Sequence, residues 1–231
     1  MSVESEFFPK LLGIYEKELH RVIMQIINSN YRCFINIGAG AGYYALGFAV
    51  KMSCLHSIYA FEKGLLDRKM ISKMANLNHV SDRIHVTGHC DVKTLVKTLI
   101  DPVNTFILID IEGREKELLD PIFKVSALKE ATILVEIHDF IDSSIGNVII
   151  RRFQGTHRIV EIHSIKRTIQ DFPLNWDFTH LIPSCRDLIL KVMSEERPSN
   201  AMRWFVLYPF NKLSRNSILE ITDAKLPSYP I

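Results

Sequence analysis

The chain has 231 residues, a length that fits one large domain with a substantial buried core. Apolar residues make up 47% of it and charged residues 23%, which is the ordinary balance of a soluble globular protein. The net charge of +2 points to no particular class of partner. The sequence contains no internal repeat and no low-complexity segment.

The four cysteines are widely scattered and form neither a CxxC pair nor the Cys/His spacing of a structural zinc site. Cys33 and Cys90 lie in apolar contexts and are interpreted as free thiols, so we expect a reducing, cytoplasmic setting. The acidic N-terminus is not a signal peptide, and charges interrupt every apolar run well before membrane-spanning length. We therefore expect no membrane partner, while the oligomeric state stays open.

The first predicted elements are a helix, a buried strand and a glycine-rich turn. After Pro9, apolar residues recur at three- and four-residue steps, which indicates an amphipathic helix ending near residues 28–30. An apolar strand at residues 33–37 enters the turn at residues 38–42 (GAGAG), and a helix follows at residues 43–50. In open α/β sheets, such a turn after the first strand is where nucleotide-like ligands bind, because the helix end offers free backbone N–H groups.

Short apolar runs then alternate with helical stretches. Strands are predicted at residues 56–61, 84–87, 105–109 and 131–135, and helices at residues 63–78, 92–100, 115–123 and 142–153. After residue 155, strands are predicted at residues 157–165 and 203–208, around one helix at residues 185–195. The alternation predicts a parallel sheet with helices on both faces, and the continuous apolar runs TFILI and ATILV agree because parallel strands are buried on both sides.

Acidic side chains follow several of these strands, at positions Glu62, Asp91, Asp110, Glu136 and Asp139. The carboxyl ends of parallel strands converge on one crevice beside the glycine turn, so we expect these groups to lie together. Glu62 comes about twenty residues after the turn, where a carboxylate accepts hydrogen bonds from both hydroxyls of a ribose. The alternative is that Glu62 is an exposed acid at the end of a strand.

The glycine turn alone does not select its ligand. A dinucleotide fingerprint, G-x-G-x-x-G/A, ends in a small residue, but Tyr43 occupies that place here. The bulkier residue favours a nucleoside without phosphates, and S-adenosylmethionine is such a ligand. An NAD-dependent oxidoreductase on a related fold, or a cofactor-binding protein without enzymatic activity, remain the alternatives.

Five motifs now carry a resemblance: INIGAGAGYYALGFA, YAFEKG, VTGHCD, FILIDIEGREKELLDP and ILVEIHDF. With them the sequence resembles the class I S-adenosylmethionine-dependent methyltransferases, and more narrowly their FkbM-type branch. The more specific part is Asp-x-Glu-Gly at residues 110–113 followed by Glu-x-His at residues 136–138. The sequence departs from the family at Asn36, where the first motif usually carries an acidic residue.

The resemblance covers roughly residues 9–209 and implies an α/β, Rossmann-like fold whose seven-stranded, mostly parallel sheet has a reversed last strand. No linker separates a second domain, so we interpret the chain as one methyltransferase domain. Its parts are an N-terminal helix (residues 1–30), a cofactor-binding core (31–165), a substrate-side segment with the last strand (166–210) and a tail (211–231).

The resemblance also implies residue roles for S-adenosylmethionine. The glycine turn (Gly38, Ala39, Gly40 and Gly42) lets the backbone approach the methionine part, and Glu62 holds the ribose. Cys90 and Asp91 lie at the adenine. Asp110 lies near the amino group or the methyl-transfer site.

Methyl transfer to a hydroxyl of a small or sugar-like molecule is the activity that the resemblance favours. The acceptor must be placed in line and must lose its proton. His138 is the best candidate base because its ordinary pKa lies near neutrality, with Asp110 as the second catalytic candidate. Alternatively, His138 only bonds the loop at residues 110–112, or Asp110 joins Glu136, His138 or Asp139 in holding Mg²⁺.

Two further features are weaker. Basic residues between positions 151 and 167 suggest either contact with a nucleic-acid or phosphorylated substrate or a solvated face, and the solvated face is the better interpretation because Glu161 interrupts them. Trp176 and Phe178 either line an acceptor pocket or cap the core.

Overall fold

A seven-stranded sheet forms the centre of the fold in a computed structural model, which describes residues 6–120, 125–173, 183–195 and 202–212. The strands are β1 (Cys33–Ile37), β2 (Ser57–Phe61), β3 (Ile84–Thr87), β4 (Thr105–Ile109), β5 (Thr132–Ile137), β6 (His157–His163) and β7 (Arg203–Pro209). Their order is β3-β2-β1-β4-β5-β7-β6. The first five strands run parallel, and β7 lies antiparallel between β5 and β6. The predicted fold class, including the reversed last strand, is confirmed.

Eight α-helices surround the sheet in the described part of the chain. They are α1 (Phe7–Leu11), α2 (His20–Ile27), α3 (Tyr43–Lys51), α4 (Leu65–Leu77), α5 (Val92–Thr98), α6 (Glu115–Leu118), α7 (Ile145–Phe153) and α8 (Pro183–Met193). None of these described helices is long and apolar enough to cross a membrane.

Two apolar layers, one on each face of the sheet, form the core. Alternate residues of one strand enter different layers: Phe34 belongs to one layer and Ile35 to the other. Every residue of β4 and β5 is buried, which explains the continuous apolar runs FILI and ILV within them. The edge strand β6 is only half buried, in agreement with its alternating polar and apolar residues.

The prediction of one continuous N-terminal helix is wrong, because the structure has two helices, α1 and α2, in its place. The chain turns after α1, and Gly13 (φ +67°) and Glu16 (φ +46°) both adopt left-handed backbone before a 3-10 turn at Lys17–Leu19 leads into α2. The two parts differ in burial: Leu11 of α1 is 68% exposed, whereas Leu19, Val22 and Ile26 pack in the core. The spacing of apolar residues alone does not show this difference or the reversal that causes it. The reversal carries Tyr15 and Glu16 over the carboxyl end of the sheet.

Among the other boundaries that differ from prediction, two lie near the acidic residues. β5 continues to Ile137, so Glu136 lies inside the strand, where it pairs in register with Trp204 of β7. The helix predicted at residues 115–123 ends at Leu118, and residues 121–124 lie outside the described part of the chain.

Candidate functional site

The glycine turn between β1 and α3 packs closely against its neighbours. Gly38, Gly40 and Gly42 all have positive φ angles, which only glycine adopts without strain. A Cβ added to Gly38 would lie 1.7 Å from the backbone oxygen of Asp110, so no other residue fits there. The N–H groups of Gly38 and Ala39 both donate to the carbonyl of Phe61, at 2.9 and 3.0 Å. The ends of β1, β2 and β4 are therefore joined at this turn.

Glu62 links the glycine turn to the next loop. Its Oε2 accepts from the backbone N–H of Gly40 at 2.8 Å, and its Oε1 accepts from the N–H of Gly64 at 2.7 Å. Each carboxylate oxygen has further lone-pair capacity, so the two bonds orient the group without saturating it. Glu62 thus lies beside the turn, as the sequence predicted, and is fixed there by backbone donors.

A pocket of about 390 Å³, here called the first pocket, opens beside Glu62. It contains most of the residues predicted to bind the cofactor: Gly38, Glu62, Cys90, Asp91 and Asp110. Burial raises the pKa of the Cys90 thiol to about 12, so this side chain is a neutral, weakly polar part of the wall. Asp91 caps α5: its Oδ1 accepts from the N–H of Thr94 at 2.7 Å, and that bond lowers the pKa of the carboxyl.

A second pocket of about 310 Å³ lies on the other side of the glycine turn. Gly38 and Asp110 line both pockets, so Asp110 stands at the junction between them. The other walls are the glycine turn, the N-terminal reversal and the sheet, and they carry Glu6, Lys10, Tyr15, Glu16, Asn36, Ala39, Gly40, Ala41, Tyr43, Tyr44, Leu108 and Trp204.

Three tyrosines form the aromatic wall of the second pocket. The ring of Tyr43 lies 5.2 Å from those of Tyr15 and Tyr44, and the Tyr44 hydroxyl donates to the carboxylate of Glu16. The ammonium of Lys10 lies 4.6 Å from the centre of the Tyr15 ring. Burial, reinforced by Glu16, raises the pKa of Tyr15 and Tyr44, so both phenols stay neutral. Tyr43, the residue that departs from the dinucleotide fingerprint, thus lines the second pocket.

Contacts to distant parts of the chain hold this wall in place. The N–H of Glu16 donates to Glu195 Oε1 at 3.0 Å, and Lys17 pairs with Asp171. Arg167 is almost completely buried and pairs with both Glu18 and Glu195. The left-handed turn at Glu16 is therefore held in place by residues of the C-terminal third of the chain.

An acidic cluster surrounds His138 below the junction of the pockets. Nδ1 of His138 lies 2.7 Å from Glu115 Oε1, while its Nε2 lies 3.5 Å from Asp110 Oδ1 and 3.4 Å from Glu112 Oε2. His138 is 1% exposed and Glu115 is completely buried. The short contact assigns the Nδ1 proton to the bond with Glu115, which leaves Nε2 facing the other two carboxylates.

The charges in this cluster shift each other's titration. Burial alone lowers the pKa of His138, but the hydrogen bond to Glu115 and the carboxylates of Asp110 and Glu112 raise it overall. Burial raises the pKa of Asp110 to about 6, with His138 opposing and Glu112 adding to the shift. The raised pKa of His138 favours its protonated form, whose charge opposes those of the carboxylates that face the pockets.

The structure brings together only some of the predicted metal ligands. Asp110 and His138 come together with Glu112, which was not predicted, and each offers an atom within 4.8 Å of the others, close enough to share a cation. The predicted Glu136 is not part of this group, although its Oε2 lies 3.9 Å from Nε2 of His138. Asp139 lies apart: it pairs with Arg203 and accepts from the N–H of Gly146 at 2.9 Å. The raised pKa of His138 favours an imidazolium as a source of positive charge at this place.

His138 itself contacts Glu115 and the loop that carries Asp110 and Glu112, in agreement with the alternative that it bonds this loop. Among the residues described, it lines neither of the two pockets, whereas Asp110 lines both. Any direct role as a base would require access to the pockets past Asp110 or Glu112.

Two residues of this region were missed by the sequence analysis. Glu115 is one of several acids that follow the loop at residues 110–113, and nothing in the pattern separates it from the exposed Glu117. Trp204 was assigned only to the last strand, although it lines the second pocket. Trp176 and Phe178, the proposed acceptor-pocket residues, lie outside the described part of the chain.

The basic residues after position 150 form no continuous surface in the described ranges. Arg152 bonds the carbonyl of Leu119 at 2.9 Å, and Arg167 is buried against two glutamates. His163 pairs with Glu161 at 3.1 Å. These contacts argue against a nucleic-acid interface. They also differ from the predicted solvated face, because Arg167 is buried in ion pairs.

No model of a known protein family matches the chain, and no curated protein matches it. Solved structures do resemble it in fold. One is an O-methyltransferase of Streptomyces achromogenes involved in tomaymycin synthesis, in complex with S-adenosylmethionine: TM-score 0.52, 11% identity, covering 84% of this chain and 80% of that one. Another is an O-methyltransferase of Bacillus cereus in complex with S-adenosylhomocysteine: TM-score 0.50, 14% identity, covering 84% and 80%.

A third similar structure is a precorrin 8W decarboxylase of Methanobacterium thermoautotrophicum, with a TM-score of 0.50 and 14% identity, covering 83% of this chain and 89% of that one. At such low identities the likeness establishes a shared fold, the Rossmann-like fold of class I methyltransferases.

Proposed function

We propose that the chain is an S-adenosylmethionine-dependent methyltransferase that methylates a hydroxyl group of a small or sugar-like molecule. The observation that carries the proposal is the pair of pockets on either side of the glycine turn, which meet at Gly38 and Asp110. A nucleoside fits the first pocket, and the reacting end of the cofactor then reaches the second. Two of the similar folds hold S-adenosylmethionine or its product. The FkbM-type branch rests on the sequence motifs.

The residues present suit this cofactor. Glu62 is oriented to accept from the ribose hydroxyls, and Cys90 and Asp91 line the same pocket for the adenine. The glycine turn brings the backbone close to the amino-acid part, as Gly38 and Gly40 have no side chain. When bound, S-adenosylmethionine supplies a methyl group on a positively charged sulfur. The acidic surroundings of Asp110 would stabilise that charge.

A dinucleotide suits the turn less well. A pyrophosphate requires free N–H groups at the turn and the absence of negative charge. Here the N–H of Gly40 already donates to Glu62, whose carboxylate lies 2.8 Å away. The NAD-dependent alternative is therefore opposed by both hydrogen bonding and charge.

Proton removal from the acceptor is assigned to Asp110. This carboxylate faces both pockets, and its pKa of about 6 makes it a stronger base than an ordinary aspartate while leaving it mostly ionised at neutral pH. His138, held by Glu115, lies behind Asp110 and stabilises its ionised form. His138 is then a positioning residue that acts through Asp110.

Binding measurements test the proposal. S-adenosylhomocysteine at a hundred times its dissociation constant should stabilise the protein by about 2.7 kcal/mol, seen as a raised melting temperature, while NAD should have no effect. Glu62→Gln should weaken binding about tenfold, whereas Glu117→Gln, a glutamate of the same pocket whose side chain is 61% exposed, should not. Stabilisation by NAD and none by S-adenosylhomocysteine would refute the proposal.

Turnover tests the acceptor class. Methyl transfer from labelled cofactor should be detected with hydroxyl acceptors, and Asp110→Asn should abolish it. Exclusive methylation of amines, or full turnover by Asp110→Asn, would exclude the proposed chemistry.

A further inference from the structure

A third pocket of about 190 Å³, here called the helical groove, is formed by α2, α3 and the N-terminal reversal. Its residues recur at steps of three and four along each helix, so they occupy one face of α2 and one face of α3. None of them belongs to the glycine turn or to the strands of the sheet. The groove is lined by Tyr15, His20, Ile23, Ile27, Tyr43, Tyr44, Gly47, Phe48 and Lys51.

Gly47 keeps the helical groove open. A Cβ added at this position would meet no described atom within 4 Å, so the space beside the helix is free for a ligand. Glycine inside a helix is less stable than alanine, and Gly47 lies in the middle of α3. The helix therefore carries a destabilising residue at a position where a larger side chain would enter the groove.

The walls of the helical groove are largely aromatic. Four of its nine described lining residues carry rings: Tyr15, Tyr43, Tyr44 and Phe48. The rings of Tyr15 and Tyr43 pair at 5.2 Å, and Tyr43 is 38% exposed. Aromatic rings attract one another at centre distances of about 4.5–7 Å, so a further ring in the groove would gain such pairs. An apolar cavity of about 150 Å³ accepts one benzene molecule, which indicates room here for one ring with a short substituent.

The charge of the helical groove favours an anion. Lys51 is exposed and supplies the positive charge, and no carboxylate is among the described residues of the lining. His20 lines the groove as a neutral imidazole, because burial lowers its pKa and its Nε2 lies 3.1 Å from the carbonyl of Tyr15. The second pocket differs, since three carboxylates and one lysine line it. A ligand with a carboxylate is therefore better suited to the groove than to the second pocket.

We propose that the helical groove is a separate binding site for a small aromatic carboxylate, whose ring packs on the tyrosines and whose carboxylate pairs with Lys51. The inference goes beyond the proposed function, because neither the cofactor nor the methyl acceptor enters the groove. Tyr15, Tyr43 and Tyr44 line both the groove and the second pocket. An occupant of the groove would therefore contact the aromatic wall of the second pocket.

Titration of the full chain with phenylacetate, followed by the NMR chemical shifts of the protein, tests the site. Binding should be saturable. Gly47→Leu, whose side chain fills the groove, should weaken it more than tenfold. Lys51→Gln should weaken phenylacetate about threefold, the loss of one exposed ion pair, and should leave the uncharged benzyl alcohol unaffected.

Two matched variants serve as controls. Gly47→Ala adds a single methyl group in open space and should keep phenylacetate binding within about twofold. Lys73→Gln removes an exposed lysine from α4, outside the groove, and should leave binding unchanged.

No saturable binding by the unaltered chain, or full binding by Gly47→Leu, would overturn the inference. Hexanoate binding as tightly as phenylacetate would overturn the aromatic class of ligand. A dimer in sedimentation that Gly47→Leu dissociates would identify a second copy of the chain as the occupant instead. These measurements use no cofactor, so their failure is distinct from a failure of the proposed function.

Discussion

Glu115 offers the sharpest test of how the site is held together. Glu115→Ala removes a completely buried carboxylate that accepts from Nδ1 of His138 at 2.7 Å and from the N–H of Gly113 at 3.0 Å. The protonated His138 then loses its strongest partner, and the N–H of Gly113 loses its acceptor. Breaking a buried ion pair in this way typically costs about 3–5 kcal/mol. Since Asp110 and Glu112 still face His138, we expect a loss near the lower end, about 3 kcal/mol.

Urea denaturation at pH 6, where His138 is protonated, measures this loss as a shift of the midpoint at constant slope. The control is Glu117→Ala, two residues along in the same helix; its exposed pair with Arg114 should contribute less than about 1 kcal/mol. Glu115→Gln should fall between the two variants, because the amide oxygen can still accept one hydrogen bond. A loss for Glu115→Ala no larger than that for Glu117→Ala would refute the reasoning.

Three further outcomes are expected. Gly38→Ala should lose the native fold or S-adenosylhomocysteine binding in thermal-shift assays, because its Cβ would overlap the Asp110 carbonyl, whereas Gly47→Ala, inside α3 with no described atom within 4 Å, should stabilise by about 0.5–1 kcal/mol. The folded-state pKa of His138 is raised above its unfolded value, so its contribution to stability is complete below about pH 6.5 and is lost as the pH rises through the folded pKa. In urea titrations, the difference in unfolding free energy between the unaltered chain and His138→Gln should therefore become smaller from pH 6 to pH 9. A difference that grows over this range would contradict the assignment. In turnover, His138→Gln should move the acid limb of the pH–rate profile upward from the Asp110 pKa of about 6, since the cation that favours ionised Asp110 is gone; an unmoved limb would exclude the positioning role.

The sequence was sufficient for what depends on local pattern. The apolar run of β4 predicted its bounds correctly, because a strand buried on both faces carries apolar residues at successive positions. The place of Glu62 followed from the end of β2 and the glycine turn. Both inferences use only spacing along the chain. In a parallel sheet that spacing determines which residues lie within a strand and which lie at its carboxyl end.

What the sequence did not reveal depends on contacts between distant residues. Glu115 and Glu117 are indistinguishable by type and helical position, and only the approach of His138, 23 residues later, makes one of them buried. Trp204 faces the second pocket because the antiparallel β7 lies beside β5. A local pattern of apolar residues does not predict which strand becomes the neighbour of another. The reversal at Gly13 was missed for a similar reason, since the spacing of apolar residues does not show that Leu11 is exposed while Leu19 joins the core.

The contacts that hold Tyr15 and Glu16 have a consequence for how the protein is made. Glu16 is joined to Glu195, Lys17 to Asp171 and Glu18 to Arg167, across about 150 to 180 positions of the chain. The segment with Tyr15 and Glu16, which is synthesised first, therefore lacks the contacts that hold it against the second pocket until nearly all of the chain has left the ribosome. The glycine turn and the first pocket use residues 37–118 only and can be complete earlier. During synthesis, the first pocket, our proposed nucleoside site, would therefore form before the second pocket, where we propose that the methyl group is transferred.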